Sequence, residues 1–379
     1  LHFVVRVAPG TTTGPVDLEA LQLRVRAAVR SWDDDFADAL VAEVGEEAAA
    51  ALFTRYAAGM PPAYREMFSA RAAVADVQRW ESIGGDEGLV VSLYEPLDSV
   101  GGDRRLKLFR TGSPVSLLEV LPLLASLDVE VIDEHPYAVP RPGGTTAYLY
   151  DFGLRLRGID SVPEVETLPD RFCAAFVAGF TGSLEADRII GLVTRAGLDW
   201  RQASYVQAWA HYTRQIGSPF SLTSISAALM ANPDLIRLLV ELFETAHDPD
   251  FRGDRESRTA ELNEALLLEL DKVQSLDHDR ILRQLIGLVG AILRTNAFQL
   301  RDGKPKDWLS FKLHPRDVPG MPEPRPQFEI YVSSPKVAGV HLRFGEVARG
   351  GLRWSDRRDD FRTEVLGLVK AQEVKNAVI

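Results

Sequence analysis

Cysteine is almost absent: Cys173 stands alone in 379 residues. One thiol can form neither an intrachain disulfide framework nor a cysteine metal cluster, so a reducing cytoplasm is the natural compartment. Flanked by Phe172 and Ala174-Ala175-Phe176, it reads as a buried small hydrophobe. Positive charge is not in excess either, with 43 Lys and Arg against 54 Asp and Glu for a net of -11. That balance argues against a nucleic-acid partner. No uninterrupted apolar run reaches the length of a bilayer span, so no membrane partner is expected. The seven histidines show no HxxxH or HxxE spacing, and no metal site is expected from them. Neither a GxGxxG nor a Walker-type lysine loop is present, so these residues hold no recognisable nucleotide cradle. An initiating Met is missing too. Leu1 begins a β-rich run that ends at Pro9-Gly10, which predicts a chain that is a piece of a longer protein.

What is there is ordinary globular material, 46% hydrophobic and 26% charged, enough for two or three domains. From about Val16 to Trp80 the sequence is rich in Ala, Glu and Arg, and predicts helices broken at Gly59-Met60-Pro61-Pro62. Strand patterns follow at Leu89–Leu93, Arg105–Phe109, Val129–Ile132 and Ala147–Leu154, with a helix over Ser116–Ser126. Gly101-Gly102 and Gly143-Gly144 read as hairpin turns. Strand, helix, strand, strand with short links is the pattern of a ferredoxin-like α+β sandwich. From Pro169 to Leu300 helical periodicity returns. Asp199 with Gln202 forms a capping box, Asn232-Pro233 predicts an N-cap with Pro at N1, and Asp277 opens a helix whose stripe ends at Ile292. Trp308–Leu313, Phe328–Val332 and Val340–Arg343 then read as strands.

The most informative stretch is Arg349-Gly350-Gly351-Leu352-Arg353-Trp354, followed by a helix from about Asp359 and by Lys375-Asn376-Ala377. A glycine pair lets backbone N–H groups approach an anion closely, and flanking guanidiniums supply bidentate charge. Between Arg349 and Lys375 there are seven basic and five acidic side chains, in an acidic protein. A tight turn would explain an isolated glycine pair equally well. With two arginines and a basic helix beside it, a dicarboxylate site is the better reading. Lys370 and Lys375 lie about 140° apart around a helix, so both cannot face one ligand unless the helix ends or bends between them. Lys370 is read as solvated, Arg357 and Arg358 as a surface paired with Asp359 and Asp360, and Trp354 as a core aromatic rather than a pocket wall. Leu366, Val369 and Val374 are expected to pack the helix on its sheet.

From Leu309 onward these residues resemble the substrate-binding segment of amino-acid dehydrogenases, closest to the very large bacterial NAD-specific glutamate dehydrogenases. A lysine usually precedes the glycine pair in that family; here Arg349 stands there. The resemblance implies substrate contacts at Arg349, Gly350, Gly351, Arg353 and Lys375, with L-glutamate and 2-oxoglutarate as ligands. It also implies NAD as cofactor, bound by a part of the protein outside this chain. The catalytic lysine, in a Gly-x-Lys-Gly-Gly motif, is expected beyond Ile379, so no catalytic residue is assigned here and the chain alone is expected to be inactive. The α+β module resembles an ACT domain, which implies an amino-acid effector at Thr111, Gly112 and Ser113. A plain strand-to-helix turn, with Ser113 as N-cap and Pro114 at N1, is as consistent with that loop.

The expected architecture is α+β and multidomain: the end of a preceding ACT-like domain (1–15), a helical segment (16–85), an ACT-like module (86–160), a helical bundle (161–300) and the β-rich start of a dehydrogenase substrate domain (301–379). Two functions stand side by side. One is part of a cytoplasmic, homo-oligomeric glutamate dehydrogenase, and the other is a regulatory or assembly fragment that binds an amino-acid effector without chemistry.

Overall fold

The structure, a computed structural model, describes residues 17–84, 88–96, 99, 102–156, 165–345 and 354–373; for 26–29 and 371–373 it describes the backbone alone. The expected first strand, Leu1–Val7, lies outside these residues. The described residues fall into two compact units. One takes those up to Val90 with Phe109–Pro114 and Pro136–Leu149, and the other takes the rest.

The Ala-rich opening folds into α1 (Leu18–Val29), α2 (Trp32–Val44), α3 (Glu46–Tyr56), α4 (Pro62–Met67) and α5 (Ala70–Glu81). Several starts are set by local chemistry. Ser31 and Asp34 close a capping box on α2, Pro62 occupies the first turn of α4, and Ser69 caps α5. The break at Gly59-Met60-Pro61-Pro62 is where the sequence places it. This unit's core is aromatic: Tyr56 stacks on Trp80 with centroids 5.6 Å apart, and Trp80 meets Phe109 edge-on at 5.7 Å. The polar tips are satisfied, since Tyr64 donates to buried Asp76 at 2.7 Å and Trp80 Nε1 to the Tyr148 carbonyl at 2.9 Å.

Strands β1 (Leu89–Tyr94), β2 (Asp103–Thr111), β3 (Val129–Pro140) and β4 (Thr146–Leu156) make a sheet in the order β1-β2-β4-β3, with α6 (Leu117–Ser126) between β2 and β3. In a β-α-β-β-α-β sandwich the last strand lies beside the first. Here the chain runs β-β-α-β-β-α, and β1 takes that edge place beside β2. The second helix is α7 (Leu168–Phe180), packed against α6. β3 and β4 outrun their sequence-predicted lengths. They turn at Gly143-Gly144, whose φ values of +92° and +86° are left-handed and cheap only for glycine. Gly101 lies outside the described residues.

The helical layer continues with α8 (Leu192–Ala196), α9 (Trp200–Gln215), α10 (Leu222–Ala231), α11 (Pro233–His247), α12 (Arg255–Leu270) and α13 (Leu276–Gly290). The Asp199/Gln202 capping box is present, and Tyr205, Val206, Trp209 and Tyr212 are buried along α9. Two caps differ from expectation. Asn232 makes no side-chain cap for α11; its amide donates back to the Ala228 carbonyl at 2.7 Å and finishes α10 instead. Ser275, not Asp277, caps α13, because its hydroxyl reaches the His278 N–H. The stripe from Ile281 to Val289 is buried as predicted, but Ile292 opens a strand. Cys173 is only half-buried.

That strand, β5 (Ile292–Thr295), begins a second sheet with β8 (Leu309–Leu313), β9 (Phe328–Ser333) and β10 (Gly339–Arg343). The order is β10-β9-β8-β5, antiparallel at each pairing, and a short hairpin of β6 (Leu300–Arg301) and β7 (Lys304–Pro305) lies between β5 and β8 in sequence. Leu309, Phe311 and Leu313 alternate into the same core as Trp209, Leu239, Phe243 and Leu285. The last helix, α14 (Phe361–Glu373), packs against β10 and α9.

Candidate functional site

Strand β9 turns an acid, not its apolar residues, towards the core. Its sequence alternates Phe328, Ile330 and Val332 with Glu329, Tyr331 and Ser333, and Glu329 and Tyr331 are the residues that are buried. Opposite strands fix the position: Glu329 pairs with Leu313 of β8 and with Leu342 of β10. An ionised carboxylate here needs a partner. Arg362, the second residue of α14, supplies it in a two-pronged fork, with Nε to Oε1 and Nη2 to Oε2 both 2.8 Å. The two side chains are 1% and 0% exposed. Burial alone would lower the guanidinium pKa, but the Glu329 bond and charge outweigh it and the net shift is upward. Removing one partner of such a pair costs ~3–5 kcal/mol, because the other is left buried and unpaired.

The enclosure of this pair is complete among the described residues. Arg362 Nη2 also lies 3.0 Å from Met321 Sδ. Gln215, at the end of α9 and 3% exposed, accepts from the Arg362 backbone N–H at 3.1 Å and donates to the Arg358 carbonyl at 2.7 Å. One amide side chain thereby satisfies a first-turn N–H that a helix leaves without an internal partner. Tyr212, one turn earlier on α9, is close enough to respond to both charges but forms no hydrogen bond of acceptable geometry. Burial and then the Glu329 charge hold its hydroxyl protonated well above the usual range.

The sequence-predicted site is not part of this assembly. The chain leaves β10 at Arg343 and enters α14 at Phe361; Arg349, Gly350, Gly351 and Arg353 fall between, and Lys375 follows α14. All five lie outside the described residues, as does Val374. Their neighbours are described. Leu366 is buried, Val369 half-buried and Lys370 exposed. Arg357 pairs with Asp360 through two bonds, which lowers the Asp360 pKa chiefly through the hydrogen bond, so these two are self-paired as expected, whereas Arg358 and Asp359 line a cleft. Trp354 is not a core aromatic. It is 78% exposed, its Nε1 donates to Asp356 at 3.1 Å, and it stands on the wall of a cleft.

That cleft has a volume of about 950 Å³ and lies among the 185–189 turn, α9, the β9–β10 connection and the start of α14. Its size is at the upper end of small-molecule sites. Charge in its lining is mixed, with Arg188, Lys336 and Arg358 as well as Glu185, Asp187 and Asp359. His211 lines it with Nε2 3.2 Å from Asp187 Oδ2. Burial would lower the imidazole pKa; the Asp187 hydrogen bond and charge, helped by Glu185 and Asp359, raise it overall. Sequence spacing did not single out His211, Glu329, Gln215 or Arg362. The available signal was an arginine in the first turn of a helix, where the macrodipole disfavours a cation.

The loop of the first sheet is described in full. Thr111 is buried at the end of β2, and Gly112, at φ +87°, donates its N–H to the Thr146 carbonyl at 3.1 Å. Ser113 accepts from Arg110 at 3.1 Å and does not cap α6. The cap is Ser116, which forms a capping box with Glu119. The plain-turn reading of Thr111–Pro114 is therefore wrong in its detail, because the helix begins three residues later than a Ser113 cap requires.

Comparison with known proteins decides the family. Residues 265–379 match the bacterial NAD-glutamate dehydrogenase catalytic domain, 88–166 the glutamate dehydrogenase ACT3 domain, 39–83 its helical motif 2 and 184–249 its helical motif 3. The chain belongs to the bacterial NAD-glutamate dehydrogenase family. Over its whole length it is 41% identical to an NAD-specific glutamate dehydrogenase of Pseudomonas aeruginosa, 42% to one of Halomonas elongata and 40% to one of Mycobacterium tuberculosis. The chain spans 23–24% of the length of these relatives. In this family setting the second sheet, α14 and the buried Glu329–Arg362 pair lie within the catalytic-domain match, and the β1-β2-β4-β3 sheet lies within the ACT3 match. Among the described residues no helix is long and apolar enough to cross a membrane.

Proposed function

We propose that this chain contributes the substrate-binding part of an NAD-dependent glutamate dehydrogenase, which converts L-glutamate to 2-oxoglutarate and ammonia. The observation that carries the reading is the Arg349-Gly350-Gly351-Leu352-Arg353 segment, which joins β10 to α14 within the residues that match the catalytic domain. Arg349, the Gly350 and Gly351 backbone and Lys375 take the two carboxylates, and Arg353 supports the loop. Holding both carboxylates fixes the direction of the Cα–H bond, which is catalysis by orientation. NAD is the cofactor that accepts the hydride; the 379 residues carry no dinucleotide fingerprint, so no step of its binding is assigned to them. The full-length protein is expected to reduce NAD when L-glutamate is added. A folded full-length protein that forms NADH with none of a panel of amino acids, glutamate included, would overturn the reading.

The ACT-like sheet supports a second, compatible role in which an amino-acid effector binds at Thr111, Gly112 and Ser113. Gly112→Val is a poor probe, because a β-branched residue at φ +87° is strained whatever the loop does. Ser113→Ala removes only the hydroxyl that Arg110 contacts. It is expected to shift the concentration of effector needed for half-maximal modulation while basal turnover stays within about twofold, since allostery is a coupling between distinct sites. Equal loss of basal and modulated activity would point to a folding defect and remove the effector site from this loop. We assign the whole protein to the cytoplasm as a homo-oligomer, a placement that the single cysteine supports.

A further inference from the structure

We propose that the outward face of α6 is an interface, and that in the full-length protein it is covered by an uncharged, apolar face from the part of the polypeptide outside these 379 residues. A helix at a domain surface carries one apolar stripe and turns polar residues to water, whereas a helix that is apolar all round is a buried one. α6 has two apolar stripes. Val120, Leu123 and Leu124 face the core and are buried. Leu118, Leu121, Pro122 and Ala125, at the i, i+3, i+4 and i+7 spacing of a second stripe, are all exposed, Leu118 at 86%. The one charge on the helix is already used, since Glu119 accepts from the Ser116 N–H at 3.2 Å in the capping box. Water therefore meets no polar side chain along that stripe.

Other helices of the same compact unit show what water selects. The exposed positions of α11 include Asp234 and Glu241, and those of α13 include Asp277, Arg280 and Arg283. Folding of α6 itself does not account for its leucines, because Lys, Glu, Gln and Arg have similar helix propensity and an outward side chain adds nothing to the core. Pro122 is harder still to explain by folding. Inside a helix it removes a backbone hydrogen bond, and its exposed ring packs on nothing in return. The size of the face then decides what covers it. A ten-residue helix presents a strip about 15 Å long and about 10 Å wide. Such a strip is on the order of 150 Å² in plan, several-fold short of the ~800 Å² that each partner of a stable complex buries. By itself it cannot hold a separate molecule or a second copy. A tethered segment is held at an effective concentration that makes a small apolar contact sufficient. The chain spans only 23–24% of the length of its relatives, so a tethered partner is in ample supply.

The test uses the full-length protein and needs neither glutamate nor NAD. Leu118→Cys leaves the core untouched, and alkylation of the introduced thiol by N-ethylmaleimide is followed in its own peptide by mass spectrometry. Arg252→Cys, at a side chain that is 85% exposed, is the open reference, and each rate is scaled to that of the same variant unfolded in urea. Leu118→Cys is expected to react about tenfold or more slowly than Arg252→Cys, because a covered thiol reacts only through local opening. Equal rates overturn the proposal. A short photoactivated cross-linker carried on the introduced thiol then identifies the cover. Products joined to peptides from outside the 379 residues support the proposal; products joined only to peptides from within them, as a second copy would give, or to another protein, overturn it. If Leu118→Cys does not fold, carbene footprinting of the unsubstituted protein decides. Labelling of Leu117–Ser126 as weak as that of buried α9 supports a covered face, and labelling as strong as that of the 248–254 loop overturns it.

Discussion

In the full-length protein, Arg349→Ala and Lys375→Ala are each expected to lower kcat/KM for glutamate by about tenfold or more. On the proposed reading each change takes a charge-assisted donor from a substrate carboxylate, and such contacts are worth ~1.5–3 kcal/mol, or about 10- to 150-fold. If the carboxylates are held equally in ground and transition states, the loss falls on KM; if the grip tightens as hydride leaves Cα, kcat falls with it. Arg358→Ala is the control. Its side chain is exposed, and the Arg358 atom that Gln215 contacts is the backbone carbonyl, which alanine retains. Steady-state kinetics with glutamate as the varied substrate checks all three, and wild-type values for both Arg349→Ala and Lys375→Ala would remove these residues from the site.

Helices were the most legible part of this protein, because their signals are local. Ser and Asp caps, Pro in a first turn and apolar stripes at 3.6-residue spacing are each written within a few neighbouring residues, and α2, α5, α9 and α13 follow them. The caps that were misassigned show the limit of that locality. Asn232 has the right side chain for an N-cap, but the carbonyls at the end of α10 are equally near and take it. Strand β5 was hidden because Ile292 continues the helical stripe of α13, and only pairing with β8 tells the chain to turn.

Strand β9 was legible as a strand and misleading as a surface. Alternation assigns Phe328, Ile330 and Val332 to the core, and the structure buries Glu329 and Tyr331 instead. The reason lies 33 residues downstream, at Arg362. A buried ion pair between distant segments leaves no periodic trace, since each member alone looks like a surface residue. The glycine-arginine motif stands out in the sequence for the opposite reason: close backbone approach and fixed charge need particular residue types at adjacent positions. The buried pair that flanks the motif in sequence was not legible.

The 379 residues by themselves are expected to show no glutamate-dependent reduction of NAD, however well they fold. Hydride transfer needs the nicotinamide held against the substrate Cα and a group that moves a proton at the amine. The sequence contains neither a GxGxxG fingerprint for the first nor a Gly-x-Lys-Gly-Gly motif for the second, and it spans 24% of the Pseudomonas relative. Carboxylate binding is a separate property, for which Arg349 and Lys375 are both present. Dissociation of the two is therefore the expected result: a silent dehydrogenase assay at saturating NAD and excess glutamate, in a protein whose helical circular dichroism and cooperative unfolding show that it is folded. The decisive comparison is with the same chain carrying Lys375→Ala. Turnover in the unsubstituted chain above that control would mean that these residues hold the nucleotide and move the proton themselves, by groups that the sequence and the described structure do not single out.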